Sequence, residues 1–209
     1  MGKMKFYDET GGSVTIKKKE HIGKNVYSLN EKECIKTEID TSLVSLSTLK
    51  CIQDLNLPGM YQIKQYLFNQ KSIFKAYIMK YYPKESINFF LTSIDYTLEN
   101  YIRFRKIAEE LTKKGVLITD LHTGNVIINY DGMTIIDTDL YIISEYVSPT
   151  KIAINNLHAL RYIFRELYLE NWIAYYGSSN IPNIKELFDI NPDETVKRLK
   201  KYKRPLDIV

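Results

Sequence analysis

The stretch Asp120-Leu-His-Thr-Gly-Asn125, followed by Asp137, decides the fold of this chain of 209 residues. Asp120 and Asn125 are five positions apart, and Asp137 follows twelve positions later, after the apolar run Met133–Ile136. A carboxylate of this kind can orient an acceptor hydroxyl and take its proton, while an amide oxygen and a second carboxylate can hold magnesium ions on a nucleotide. The three side chains therefore predict a site for a magnesium nucleotide.

The residues around this stretch predict helices that alternate with short strands. Thr97–Lys114 has apolar residues at helical spacing, and Gly115 suits the C-terminal end of that helix. Short apolar strands are predicted at Val116–Ile118, Val126–Ile128 and Thr134–Ile136. Further helices are predicted at Lys151–Leu169, Ile184–Phe188 and Asp193–Tyr202.

The N-terminal part of the chain is instead rich in β-branched and aromatic residues that are interrupted by turn residues. Helical spacing of leucine and isoleucine predicts one helix here, over Thr41–Leu55, with Asp40, Thr41 or Ser42 as its N-cap. About five strands are predicted, at Ser13–Lys19, Asn25–Leu29, Glu33–Ile39, Met60–Phe68 and Ile73–Tyr82. Because Pro83–Ser86 breaks this pattern, we expect a small β-rich domain at 1–82 and a helical domain at 83–209.

The order of these regions, with a β-rich part, a hinge and a helical part that carries D-x-x-x-x-N…D, resembles the protein-kinase-like superfamily. The resemblance is strongest over residues 107–140 and extends loosely over residues 20–170. It implies an α+β, two-lobed fold with a β-rich small N-lobe and a reduced helical C-lobe. It also implies that the chain binds ATP and Mg²⁺ and transfers the γ-phosphate to a hydroxyl group.

The resemblance gives roles to residues of the helical part. Asp120 would be the catalytic base, and His122 would either touch the γ-phosphate or only hydrogen-bond within its loop. Asn125 and Asp137 would hold the metal ions, with Asn125 also counted in the catalytic loop. Asn156 stands where the anchor helix of the large lobe usually carries an Asp.

The phosphates of the nucleotide would contact the N-terminal part. Cys34-Ile35-Lys36 is similar to the V-A-I-K strand of the family, which places Lys36 on the α- and β-phosphates; a surface lysine is the plain alternative. A G-x-G-x-x-G is absent from the sequence. The turn at Gly23 is the candidate phosphate loop, and Gly11–Ser13 is a competing hairpin. For both, the alternative is a turn that only connects two strands.

The adenine would lie near a hinge between the two lobes. Ile78–Pro83 resembles the segment that contacts adenine through its backbone. In that segment Met79 is at the gatekeeper position, and Lys80, Tyr81 and Tyr82 follow it.

Several residues depart from the protein-kinase pattern. Thr119 stands where protein kinases usually carry an Arg that pairs with a phosphate on the activation loop, so no activation by loop phosphorylation is expected. The sequence D-L-H-x-G-N is instead similar to that of aminoglycoside and choline phosphotransferases. Asp139 replaces a glycine and is either a further metal ligand or a solvated loop acid. The segment from Asp137 to Asn156 is short, which is typical of a minimal kinase.

Three functions remain open. The first is a minimal Ser/Thr protein kinase that acts on other proteins, and the second is a small-molecule kinase of the aminoglycoside-phosphotransferase type, which His122 favours. The third is a pseudokinase, a binding module that keeps the fold without turnover, which the poor glycine loop favours.

Composition and sequence patterning limit the other functions, partners and locations that the chain could have. The net charge of +4 is modest and no basic stripe is interleaved with aromatic residues, so no nucleic-acid partner is expected. No apolar run approaches the roughly 18 residues of a membrane span, and the first residues lack a signal-peptide core. We therefore expect a cytoplasmic monomer, although delivery into another cell as an effector stays open. Cys34 and Cys51 have no CxxC spacing and are expected to be reduced thiols.

Overall fold

The computed structural model describes residues 3–17, 21–82, 94–129, 131–176 and 185–201. The chain divides into two compact units. Unit 1 contains residues 1–56 and 61–83, and unit 2 contains residues 57–60 and 84–209. The expected break at Pro83–Ser86 lies outside the described residues.

Unit 1 is built on an antiparallel sheet. Its strands are β1 Lys3–Tyr7, β2 Ser13–Lys17, β3 His21–Gly23, β4 Val26–Ser28, β5 Glu33–Lys36, β6 Ile63–Phe68 and β7 Phe74–Lys80. In the described residues these form seven strands in the order β2-β1-β6-β7-β5-β4-β3. The sequence prediction of about five was too low. It missed β3, which is three residues long and buries none of them, and it missed β1 although Met4 and Phe6 alternate with lysines there.

One helix, α1 at Leu46–Asp54, belongs to unit 1. It begins later than the predicted Thr41, because the carboxylate of Asp40 accepts hydrogen bonds from the N–H and O–H of Ser42 and forms a separate turn. Ser45 is the N-cap, and its Oγ accepts from the N–H of Thr48 at 3.2 Å. An N-cap serine satisfies one of the backbone donors that a helix start leaves open, so the helix starts where that donor is met.

The two faces of the sheet bury different residues. Leu49 of α1 packs with Tyr61 and Tyr77 on one face. Ile35 and Leu67 lie in the core of the other face and are fully buried. Because neighbouring residues of a strand point to opposite faces, Cys34 belongs to the first cluster while the adjacent Ile35 belongs to the second. Unit 1 therefore has its own hydrophobic core.

Unit 2 is mainly helical. Its helices are α2 Ile94–Lys113, α3 Pro149–Tyr176, α4 Lys185–Asp189 and α5 Pro192–Leu199, with a 3₁₀ turn at Thr123–Asn125. Its short strands are β8 Val116–Leu117, β9 Val126–Asn129, β10 Gly132–Ile135 and β11 Ile142–Ile143. Helix α3 extends past the predicted Leu169 because no glycine or proline follows Pro149 until Gly177. None of the described helices is long and apolar enough to cross a bilayer.

Aromatic rings hold the helices of unit 2 together. Phe164 of α3 meets Tyr101 and Phe104 of α2 edge to face, with ring centroids 4.9 and 5.6 Å apart. Phe188 of α4 completes the cluster, 5.8 Å from Phe164. Edge-to-face packing of buried rings stabilises the fold beyond the burial of their apolar surface alone. These contacts make α3 a fixed support for the loops packed against it.

Candidate active site

Two asparagines of α3 hold the backbone just before the loop at 120–125. Asn156 is 1% exposed. Its Oδ1 accepts from the N–H of Ile118 at 2.7 Å, and its Nδ2 donates to the carbonyl of Val116 at 2.9 Å. Asn155 donates to the carbonyl of Ile118 at 2.8 Å. Helix α3 therefore fixes both polar groups of Ile118 and sets where the 120–125 loop begins.

The 120–125 loop is closed by hydrogen bonds of its own. The Nδ2 of Asn125 donates to the carbonyl of Asp120 at 2.8 Å, and the N–H of Asn125 donates to the carbonyl of His122 at 2.9 Å. Asp120 has a φ of +56°, in the left-handed region that Asp and Asn adopt more readily than most residues. Because the amide nitrogen of Asn125 is bound to the loop, its oxygen is the atom that can coordinate a cation.

His122 is held inside this loop. Its Nδ1 accepts from the N–H of Gly124 at 3.1 Å, so a neutral ring carries its proton on Nε2. That Nε2 lies 3.9 Å from Oδ1 of Asp120. A Cβ at position 124 would stand 2.9 Å from Cε1 of His122, which explains the glycine. The expected bond within the loop is thus present, and the other ring nitrogen faces the carboxylate of Asp120.

Asp137 approaches Asn125 through the β9–β10 ladder. Ile135 pairs with Val126, and the N–H of Ile136 donates to the carbonyl of Asn125 at 2.9 Å. The two polar residues therefore leave the same end of the ladder. The Oδ1 of Asp137 accepts from the N–H of Asp139 at 3.2 Å, which bends the chain directly after it.

Tyr141 is a buried phenol in the segment that follows Asp137. Burial raises the pKa of the Tyr141 phenol far above its usual range, and the charges of Asp137 and then Asp120 raise it further. Hydrogen bonds bring the predicted residues together. The side chain of Asn125 bonds to the carbonyl of Asp120, and the carbonyl of Asn125 accepts from the N–H of Ile136, the neighbour of Asp137. His122 lies beside Asp120.

The segment after Asp137 differs from one sequence expectation. Asp139 is 7% exposed and Thr138 is 1% exposed, so Asp139 is not a solvated loop acid. The sequence did not reveal this burial, because it depends on how the segment packs. Thr119, which replaces the usual Arg, donates its hydroxyl to the carbonyl of Leu140. A neutral hydrogen bond thus ties this segment to the residue before Asp120.

The predicted phosphate-binding residues lie in unit 1. Val26 pairs with both Gly23 and Lys36, so the β3–β4 turn and Lys36 are neighbours in the sheet. In that turn the left-handed backbone belongs to Asn25, with a φ of +57°, and not to Gly23.

The competing hairpin at Gly11–Ser13 is already filled by a side chain. The carboxylate of Asp8 accepts from the N–H groups of Thr10 and Gly12, and the pKa of Asp8 is lowered by the Thr10 hydroxyl and then by Gly12. The amides of this hairpin are therefore satisfied by Asp8, which leaves the Gly23 turn as the candidate phosphate loop.

The described part of the predicted hinge begins within the last residues of β7, in unit 1. Met79 is buried and pairs with Cys34 of β5. The N–H of Lys80 donates to Gln62 at 3.1 Å, and the N–H of Tyr81 donates to Lys32 at 2.9 Å. Within the described residues, the N–H of Tyr82 is the hinge donor with no backbone acceptor.

Sequence reasoning missed the clamp of Asn155 and Asn156 on Ile118 and the buried Tyr141 in the segment that follows Asp137. Two adjacent amides inside an otherwise apolar stretch of helix were the available signal for the clamp. Tyr141 gave no signal, since its position depends on tertiary packing.

The donor set fits magnesium. Hard cations of this kind prefer carboxylate and amide oxygens, and Asn125 and Asp137 supply these from one end of a ladder. Among the described residues, no group of three or more His, Cys, Asp or Glu side chains is arranged to hold a metal ion. The carboxylate of Asp137 and the amide oxygen of Asn125 thus stay the predicted metal ligands.

Comparison with known proteins adds evidence about the fold. No protein-family model and no curated protein matches the chain. A solved structure that does match is that of the Cydia pomonella granulovirus kinase PK-1, with a TM-score of 0.53 and 18% sequence identity. The match covers 98% of this chain and 80% of the granulovirus protein. The chain therefore has a kinase-like fold of mixed helix and antiparallel sheet.

Proposed function

We propose that the chain is an ATP-dependent phosphotransferase that moves the γ-phosphate of Mg-ATP to a Ser or Thr hydroxyl of a protein substrate. The observation that carries this proposal is the meeting of Asp120, Asn125 and Asp137 in one unit, where hydrogen bonds and strand register fix the loop and the ladder that bear them. The kinase-like fold supports it. In this proposal unit 1 corresponds to the N-lobe of a kinase and unit 2 to the C-lobe.

The chemistry asked of the protein is mainly positioning and charge neutralisation. Asp120 orients the acceptor hydroxyl and accepts its proton as the hydroxyl oxygen bonds to the γ-phosphorus and the bond from that phosphorus to the oxygen of the departing ADP breaks. Asn125 and Asp137 would hold Mg²⁺, which when bound neutralises charge on the phosphate oxygens. His122, fixed by Gly124, keeps its Nε2 side toward the Asp120 carboxylate.

Residues of unit 1 would bind the nucleotide. Lys36 neutralises the phosphates and the Gly23 turn lies next to it in the sheet. Tyr82 offers the backbone N–H of the hinge to adenine, since the N–H groups of Lys80 and Tyr81 are already used. Met79, which is buried, lines the hinge at the gatekeeper position.

Incubation of the purified protein with γ-labelled ATP, Mg²⁺ and a cell lysate tests the proposal. We expect labelled protein bands whose sites are Ser or Thr by mass spectrometry. Asp120→Asn should reduce the rate by roughly 10²–10⁴, the usual share of a catalytic base, and should keep nucleotide binding. Asparagine is chosen because it tolerates the left-handed backbone at this position.

With the wild-type protein, Mg²⁺ and ATP together should raise the unfolding temperature more than ATP alone. Asp137→Asn should remove this difference, because a ligand stabilises the folded protein only as far as it binds to it. Asp131→Asn is the matched control, because Asp131 lies in the exposed turn between β9 and β10. Full transfer activity in the Asp120→Asn protein would contradict the role given to Asp120. Stabilisation by Mg-ATP without transfer to any acceptor would identify a binding module instead.

A small-molecule acceptor is the second candidate. Two observations favour it. The D-L-H-x-G-N pattern resembles that of aminoglycoside and choline phosphotransferases, and Nε2 of His122 in that pattern lies 3.9 Å from Oδ1 of Asp120. In the same labelling experiment this candidate predicts label in small molecules and none in protein bands.

A further inference from the structure

Unit 2 has an open pocket of about 360 Å³ on one side of Asp120. Its walls come from Ile118 and Leu121, from α3 and from Asp189 at the end of α4. Asp120 contributes to the lining, whereas Asn125 and Asp137 do not. The proposed metal ligands thus lie outside the lining of this pocket, whereas Asp120, which would orient the acceptor, is part of it.

Two arginines of α3 line this pocket, and they differ in their partners. Arg165 forms ion pairs with Asp189 at 3.5 Å and with Glu166 at 3.2 Å. Arg161 has no ion pair with any described residue, and its buried Nε has no hydrogen-bond acceptor among them. Arg161 lines the pocket and its guanidinium has no partner among the described residues, so its charge is available to an anionic ligand.

We propose that this pocket binds a carboxylate side chain of the substrate, close in sequence to the Ser or Thr that is phosphorylated, with Arg161 as its main contact. This inference rests on the proposed function and specifies the substrate as an acidic peptide segment. The planar guanidinium of arginine matches a carboxylate with two parallel hydrogen bonds. A peptide whose hydroxyl lies at Asp120 places a neighbouring acidic residue in the same pocket as Arg161.

Matched peptides test the inference. One peptide carries Ser flanked by Glu, and the other carries the same Ser flanked by Gln. We expect the wild-type protein to phosphorylate the Glu peptide with a kcat/KM higher by about tenfold, a change typical of one charge-assisted contact in a partly exposed site. The difference should lie mainly in KM, because the contact is equally present before and during transfer.

Arg161→Ala should bring the ratio of the two kcat/KM values close to one, and Arg161→Lys should leave an intermediate ratio. Arg161→Gln replaces the alanine variant if thermal unfolding shows that Arg161→Ala does not fold. The control is Arg198→Ala, which removes an arginine of α5 that pairs with Glu194 outside the pocket. That variant should keep the wild-type ratio.

A peptide-binding assay without ATP distinguishes a failure of the pocket assignment from a failure of the proposed function. Fluorescence anisotropy with labelled peptides in which Ala replaces Ser, in the absence of ATP, should show tighter binding of the Glu form and loss of this preference in Arg161→Ala. Equal binding and equal kcat/KM for the Glu and Gln peptides would overturn the pocket assignment while phosphorylation itself stands. Failure to label any peptide or lysate protein would overturn the proposed function, and the anisotropy result would still decide the role of Arg161.

Discussion

Asn156 shows at the scale of one residue how the site depends on side-chain chemistry. The amide uses its oxygen for the N–H of Ile118 and its nitrogen for the carbonyl of Val116. An aspartate, which is usual at this position in the family that the sequence resembles, could accept the first bond but could not donate the second. The amide is therefore matched to this backbone, and the two residues are not interchangeable here.

Asn156→Asp should lower the free energy of unfolding by on the order of 2–4 kcal/mol, because it places a buried carboxylate against a carbonyl oxygen. Urea unfolding at pH 7 measures the change. Asn191→Asp is the control, since Asn191 caps α5 by accepting from the N–H of Glu194 and aspartate caps a helix equally well. A variant at position 156 as stable as the wild type would show that the nitrogen of Asn156 contributes nothing.

The sequence could predict those site residues whose role follows from residue type and spacing alone. Asp120, Asn125 and Asp137 could be proposed from type and spacing, and the structure gives a geometric basis for them. The burial of Asp139 could not be predicted, because it depends on packing around the segment that follows Asp137. The unpaired Nε of Arg161 was equally hidden, since a helix position alone does not reveal which partners a long side chain finds.

At the scale of elements, regular apolar spacing predicted α2 and α3, whereas their ends and the weak strands were harder to place. The start of α1 moved to Leu46 because Asp40 caps a turn and not the helix. Strand β3 was missed because its three residues bury nothing and give no alternation to detect. Elements that bury little of their own surface are thus fixed by their neighbours in the sheet.

The turn between β9 and β10 requires a glycine. Gly132 has a φ of +114°, and a Cβ there would stand 2.9 Å from Oδ1 of Asn100, which accepts from Met133 at 2.8 Å. Gly132→Ala should therefore cost on the order of 2–4 kcal/mol, combining backbone strain with disruption of that hydrogen bond.

Gly115→Ala is the comparison for this prediction, because Gly115 has a φ of +70° and open space around its Cα. It should cost only about 1 kcal/mol, from backbone strain alone. Urea unfolding of the two variants checks the order. Equal losses would show that the contact with Asn100 is not a source of the cost at position 132.

At the scale of the whole molecule, several groups titrate abnormally at alkaline pH because they are buried. Burial raises the pKa of Cys34 from 9.0 to about 11. It likewise raises the pKa of Tyr66 and of Tyr96 from 10.0 to about 12, with smaller contributions from neighbouring charges. In each case the folded state disfavours the anion, so the folded protein binds the proton more tightly than the unfolded chain does.

Stability should therefore fall as the pH rises above about 9, the ordinary pKa of Cys34, and should continue to fall toward about 11 and 12. The sign follows from linkage, because the unfolded chain loses these protons first. Urea unfolding between pH 7.5 and 10.5 measures the slope. Cys34→Ala should flatten it, and Cys51→Ala, at a half-buried thiol, is the control. A stability that is constant over this range would contradict the assignment.

The left-handed backbone of Asp120 has a consequence for how the gene can change. A single base substitution in an aspartate codon yields asparagine or glycine, and both accept this conformation. Either codon change would remove the carboxylate while leaving the loop in place. Under the proposed function, descendants that fold and bind nucleotide without transferring phosphate are therefore one mutational step away, and selection on binding alone could retain them.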